Sequence, residues 1–213
     1  MVGLYVSVPI ASFRKGLARE YLETEQLPPP STCYGFLLSL VGEVDRKRHQ
    51  GCRVTPALLG KPETSVVLRT VWRVKKAPLG SPGNTRPDYQ QLLTDVHLVI
   101  WLDSSEELGE TLEKRVQAAL GDPGSIQRFG GLSLGESAHL VNDVCLLDEK
   151  RLAALASQGF DQGLLFCQSP KGRVTLPVWV DHVGASGTRY ATGDLNRRQL
   201  ESPSLEEMPV ISG

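Results

Sequence analysis

The run Asp95-Val96-His97-Leu98-Val99-Ile100-Trp101-Leu102 constrains this chain most tightly. An apolar, β-branched stretch of that length reads as a deeply buried strand, and a buried strand requires a sheet around it. Upstream, Val66, Leu68, Thr70, Trp72 and Val74 alternate with Val67, Arg69, Val71, Arg73 and Lys75. Period two places three cations on one side of a second strand whose other side is apolar. Gly80, Pro82, Gly83, Asn84 and Pro87 mark the loop between the two runs. The predicted pairing is an antiparallel, long-looped hairpin of 66–76 with 94–102.

The elements before and after fix the class. Val2, Leu4, Val6 and Val8 alternate with Gly3, Tyr5 and Ser7, a strand that Pro9 is expected to end. A connection over 9–30 closes on Pro28-Pro29-Pro30, and Ser31 or Thr32 is placed to cap a helix. Cys33, Phe36, Leu37, Leu40, Val41 and Val44 form its apolar stripe, and Asp45-Arg46-Lys47-Arg48-His49 its basic end. Ser104 and Glu107 have capping-box spacing for a second helix with Leu108, Leu112, Val116 and Leu120 buried. Gly121-Asp122-Pro123-Gly124 stops it. A strand near 126–134 would complete a β-α-β-β-α-β order. The expectation is an α+β, ferredoxin-like domain over 1–138. A β-rich extension over 139–198 follows, with strands at 140–147, 163–168 and 173–181 and a helix at 149–157. The tail 199–213 lacks periodicity and is expected to be mobile.

The formal net charge is −1, from 23 Lys+Arg and 24 Asp+Glu, which alone argues against a polyanion partner. The distribution reverses that argument. Residues 1–102 hold 13 basic and 8 acidic residues (net +5), and 103–213 hold 10 and 16 (net −6). The window 46–88 has 10 basic residues against Glu63 and Asp88, a net of +8. Cys33, Cys52, Cys145 and Cys167 form no C-x-x-C pair, so reduced core thiols are expected and a zinc site is not. Nothing resembles a membrane span or a signal peptide, so a cytoplasmic protein without metal or cofactor is expected.

Residues 128–137 read Arg-Phe-Gly-Gly-Leu-Ser-Leu-Gly-Glu-Ser. Gly130 and Gly131 permit positive φ, and successive exposed N–H groups can cradle a phosphate. The turn is neither a P-loop nor a dinucleotide fingerprint, since no Gly-Lys-Ser/Thr follows and no helix opens after it. Its setting is more specific than the turn. A first helix introduced by Pro30-Ser31-Thr32-Cys33-Tyr34-Gly35-Phe36-Leu37, a basic long-looped hairpin, and Phe129-Gly130-Gly131-Leu132-Ser133-Leu134-Gly135-Glu136-Ser137 occur in that order. The arrangement over roughly 1–180 resembles CRISPR-associated protein family five, in its DevS-like branch, a RAMP subunit of type I Cascade surveillance complexes.

That resemblance implies a non-catalytic, ferredoxin-like protein that holds the 5′ handle of a crRNA. Its hairpin, the thumb at about 69–92, would reach the adjacent backbone RAMP subunit, and the large subunit would dock on the same end. A separate processing endoribonuclease and nearby target DNA are also implied. RNA-binding residues carried over are Arg14, Lys15, Arg19, Ser31, Tyr34, Arg46, Arg48, Arg69, Arg73, Lys75, Lys76, Arg86, Gly130, Gly131 and Ser133. Single-stranded RNA is held by cations, backbone N–H groups and aromatic stacking. Tyr34 and Phe129 are the candidate stackers, although core burial is the commoner role of a phenylalanine. Trp72, Trp101 and His97 read as packing residues, and His139 lies close enough to the turn to touch RNA. One branch of the family cleaves repeat RNA without metal, using Tyr, Lys and His. The alternative function is therefore a metal-independent endoribonuclease built on Tyr34, Lys47 and His49.

Overall fold

The computed structural model describes residues 1–16, 18, 20–72, 78, 80–183 and 186–213, with the backbone alone at 71, 72 and 82. The apolar run at 95–102 is the lower half of a long strand, β5 (Thr85–Asp103), and it forms the centre of the sheet. The first strand, β1 (Val2–Ala11), pairs antiparallel with it from Val2↔Leu102 to Ala11↔Leu93. β1 runs two residues beyond Pro9, which falls between the paired Val8 and Ile10. A short β2 (Tyr21–Leu22) lies parallel to β5 at Tyr89 and Gln90.

On the other side of β5 lies β3 (Arg53–Leu59), a strand that sequence patterning does not announce. Pro56 lies inside it, and a proline normally argues against an internal strand. The cost is avoided locally. The next strand, β7 (Gln162–Gln168), pairs with β3 only at Ala57, Leu58 and Leu59. At the level of Pro56, the Phe166 carbonyl accepts the Thr55 hydroxyl at 2.5 Å.

β4 (Glu63–Trp72) pairs antiparallel with the upper half of β5, from Glu63↔Thr94 to Trp72↔Thr85. The hairpin is thus real, but its register differs from the expected 66–76 with 94–102. The lower half of β5 is already occupied by β1 and β3. Asp95 sits at the divide with φ 56°, the one non-glycine residue with positive φ among those described. Across it the buried side of β5 changes parity, from Leu93 to Val96, Leu98, Ile100 and Leu102 in the same cluster.

The first helix, α1 (Pro30–Leu40), begins on Pro29 without a side-chain cap, so neither Ser31 nor Thr32 takes that role. It ends before Val44, which is 93 % exposed, because Gly42 turns the chain at φ 67°. The second, α2 (Leu112–Gly121), starts later than expected, capped by Thr111, with Leu108 exposed. Ser104 and Glu107 still serve it from a distance. The Glu113 N–H donates to Ser104 Oγ at 3.3 Å and the Leu112 N–H to Glu107 Oε2 at 2.7 Å.

No strand forms at 126–134. The strand after α2 is β6 (Asp143–Leu146), which pairs with β1. Then come α3 (Glu149–Ser157), β7, β8 (Val174–Trp179) and β9 (Arg189–Gln199). The main sheet order is β6-β1-β5-β3-β7-β9-β8. The fold is therefore mixed α/β on a mostly antiparallel sheet. One face packs on α1 and α2 through Leu4, Val6, Leu37, Ile100 and Phe166. The opposite face packs Tyr5, Val99 and Trp101 against Leu155 of α3. The cysteines are all free, and burial raises the pKa of Cys33 and Cys52.

The tail expected to be mobile is docked. Met208 and Ile211 are fully buried, one in each cluster. Backbone bonds join Val54 N–H to the Pro209 carbonyl (3.2 Å) and Ile211 N–H to the Cys52 carbonyl (2.8 Å). Two isolated apolar anchors have no periodicity, so patterning cannot find them.

Candidate nucleic-acid interface

A groove of about 760 Å³ opens between the outward side of α1, the loop 127–135 and the end of β8. Two glycines set its shape. A Cβ on Gly42 would lie 2.3 Å from the Gln127 carbonyl oxygen, and one on Gly135 (φ 96°) would lie 2.7 Å from that of Ser12. The loop is therefore pinned to the end of α1 and to the end of β1. Residues 132–141 fold as a small hairpin that turns over 135–138. Val141 N–H donates to the Leu132 carbonyl and Leu134 N–H to the His139 carbonyl, with Leu134 buried as its anchor. Gly130 takes φ 77° in the bend that leads into the hairpin, as the sequence requires.

Phe129, in that bend, is fully exposed. The expectation of a core role is therefore wrong for this residue, and its ring stands on the groove rim with both faces open. Arg128 beside it is half-buried and has no carboxylate partner among the described residues. The far wall is Trp179, with the Arg46 guanidinium 4.5 Å from its ring centroid and donating to the Val180 carbonyl at 2.8 Å. His182 completes the rim. On the α1 side, Ser31 and Thr32 line the groove at the uncapped helix start, where the positive end of the helix dipole favours negative charge.

The residues singled out from sequence divide into three groups. Ser31, Tyr34, Arg46 and Ser133 line the groove, and Gly130 and Gly131 follow Phe129 in the chain without lining it. Tyr34 cannot stack on a ligand. It is buried, its hydroxyl donates to the Arg46 carbonyl at 2.7 Å, and burial raises its pKa. A second group is engaged elsewhere. Arg48 bridges Glu43 and Glu110, each at 3.0 Å, and Arg69 forms a two-pronged contact with Glu136 at 2.9 and 3.3 Å. Arg86 pairs with Glu20 and Asp88, Lys15 with Glu23 at 3.6 Å, and Arg14 donates to the Ala18 carbonyl at 3.1 Å. Arg19, Arg73, Lys75 and Lys76 lie outside the described residues.

Beneath the groove floor, Glu43 accepts from Arg115, which holds its carboxyl down to about 2. The same Arg115 donates to His49 Nε2 at 2.9 Å, and His49 Nδ1 faces Glu107 at 3.3 Å. His49 is enclosed in this network. Sequence reasoning missed Arg128, Trp179 and His182. Arg128 had a signal, a cation adjoining an aromatic and a glycine pair. Trp179 and His182 reach the groove only through sheet topology.

A mixed α/β fold on a mostly antiparallel sheet thus carries a glycine-pinned groove with an open aromatic ring and a cation that has no carboxylate partner among the described residues. No family model matches the chain. A curated protein of Myxococcus xanthus (strain DK1622), CRISPR-associated protein Cas5, is 53 % identical over 215 aligned residues, covering 99 % of this chain and 97 % of that one. Two solved structures share the fold. A "CRISPR RNA-guided surveillance complex" chain matches with TM-score 0.61 at 15 % identity, covering 95 % of this chain and 91 % of that one. A "Crystal structure of Cas protein" chain matches with TM-score 0.52 at 18 % identity, covering 98 % and 97 %. The chain belongs to the Cas5 family of CRISPR-associated proteins. No helix among the described residues is long and apolar enough to cross a membrane.

Proposed function

We propose that this chain is the non-catalytic crRNA-binding subunit of a type I CRISPR surveillance complex, and that its groove holds the crRNA 5′ handle. The observation that carries the reading is Phe129. A fully exposed phenylalanine beside Gly130, facing Arg46 and Trp179 across a groove, has no packing role, and an open ring is what a nucleobase stacks on. Arg128 and the start of α1 supply complementary charge for the flanking phosphates.

The strand order β6-β1-β5-β3, with α1 and α2 on one face, supports a ferredoxin-like arrangement for the first part of the chain. The ribbon of β4 and upper β5 is the corresponding thumb, available to a neighbouring backbone subunit. A large subunit, a processing endoribonuclease and target DNA complete the proposed surroundings, in the cytoplasm. A binding role without cleavage is supported by His49, whose two ring nitrogens are occupied by Arg115 and Glu107.

The test co-expresses the chain with a CRISPR array and its complex. Deleting the repeat-derived 5′ handle should release this chain, and Phe129→Ala should weaken its retention. Retention without the handle would refute the reading. Cleavage of labelled repeat RNA by the purified chain in EDTA would instead establish the endoribonuclease.

A further inference from the structure

Every residue of β4 from Glu63 to Thr70 is exposed, so this strand covers no core on either face. Among the described residues its one strand partner is β5. Immediately upstream, the same side of the sheet is filled by β7, which pairs with β3 at 57–59 and stops at Gly163. The slot in line with β7 is open beside β4. Natural edges are blunted by proline, bulges or dense charge. β4 has no proline or glycine, and its register to β5 is unbroken from Glu63 to Trp72. Its charged residues are Glu63 and Arg69 alone. Val66 and Leu68, 48 % and 63 % exposed, share one face with Tyr89 and Tyr21.

We propose that two copies of this chain pair antiparallel along the outer edge of β4, with Val66 on the two-fold axis. An extended polypeptide is what a row of unpaired main-chain groups recognises, and this strand is complementary to itself. With Val66 opposite its own copy, Glu63 faces Arg69 of the second copy at both ends of the ladder. Thr64 then faces Leu68, and Ser65 faces Val67. An axis one residue later, at Val67, loses both charge pairs and leaves Arg69 opposite Ser65. Arg69 can serve Glu136 and the incoming Glu63 together, since its side chain keeps 41 % exposure and a guanidinium carries five donors. The pairing is closed. The β4 edge of each copy is consumed by the other, so this contact closes on a dimer rather than a fibre. The dimer covers the ribbon that an assembly partner would otherwise meet, and it does not depend on the RNA reading.

The experiment uses the full-length protein, nuclease-treated and free of RNA, in sedimentation velocity over a concentration series. A reversible monomer–dimer equilibrium is expected. Arg69→Glu should weaken it about tenfold, and Glu63→Arg/Arg69→Glu should restore it to within about threefold, because cross-strand charge pairs set the register. Val66→Cys should give a disulfide-linked dimer under mild oxidation above the wild-type background. Thr64→Cys, offset from its own copy by four ladder positions, should not. A monomer at every concentration, a dimer indifferent to Arg69→Glu, or cross-linking through Val67→Cys in place of Val66→Cys would overturn the proposal.

Discussion

The groove and the ribbon divide what the sequence merges into one basic window. The ribbon base displays Arg69 and Arg86, but each faces a carboxylate, Glu136 for one and Glu20 with Asp88 for the other. The groove also has two arginines, Arg46 and Arg128, yet Arg128 has no carboxylate partner among the described residues and Phe129 is bare. The two regions also differ in support. The groove stands on α1, whose Leu37, Cys33 and Leu40 are buried in the main core, whereas β4 is held by backbone pairing to β5. Charge density along a chain therefore locates basic segments, while availability depends on what the fold sets beside them.

That comparison can be broken most directly through stability. Leu37→Ala should cost about 2–5 kcal/mol in urea unfolding, since it empties a fully buried site, and Leu68→Ala on the ribbon should stay within about 0.5 kcal/mol. Equal costs would mean that the ribbon has a core of its own. Next in size is Phe129→Ala, expected to weaken handle-RNA binding by about 1–3 kcal/mol in fluorescence anisotropy while leaving the unfolding curve in place. Loss of stability without loss of affinity would return Phe129 to a packing role.

Smaller is the charge contrast. Arg128→Gln should lower the salt slope of RNA binding by about 0.7, the value for one phosphate contact on a single strand. Arg86→Gln should leave it unchanged, because that guanidinium is already neutralised. The smallest effect concerns acid. The Arg198 guanidinium holds Glu207 at about 2, below its ordinary 4.5. A carboxylate depressed by folding contributes stability that is present above the unfolded pKa and lost as pH falls through the folded one. Stability should thus decline between about pH 5 and pH 2, and Glu207→Gln should shallow that decline by less than about 1 kcal/mol, given the partial exposure of the pair.

Much of the architecture was readable where one residue pattern serves one local purpose. The α1 stripe from Cys33 to Val41, the central run at 95–102, α3 and the strands at 163–168 and 173–181 follow periodicity, and the fold preserves them. What could not be read depends on distant partners. β3 tolerates Pro56 only because Thr55 meets a carbonyl 111 residues away. The hairpin register depends on β3, which already occupies β5 below Asp95 and leaves only the upper half to β4. Val44 and Leu108 continue helical stripes in sequence but stand outside the helices, one beyond Gly42 and the other before Thr111. The groove was half legible. Ser31, Arg46, Ser133 and the glycine turn converge as their order suggests, whereas the ion pairs that engage Arg48 and Arg69 join residues 62 and 67 positions apart.

Met208 and Ile211 lie three residues apart, yet they fill opposite sides of one sheet. During synthesis, then, neither layer can finish packing until this stretch has left the ribosome. Until then the nascent chain presents two unfinished apolar layers together with a bare strand edge. Docking of this segment seals both layers at once, like a rivet set from one end. A lesion in this short segment should therefore act on the whole molecule, and a ribosome stalled just before it would hold a chain with neither layer sealed.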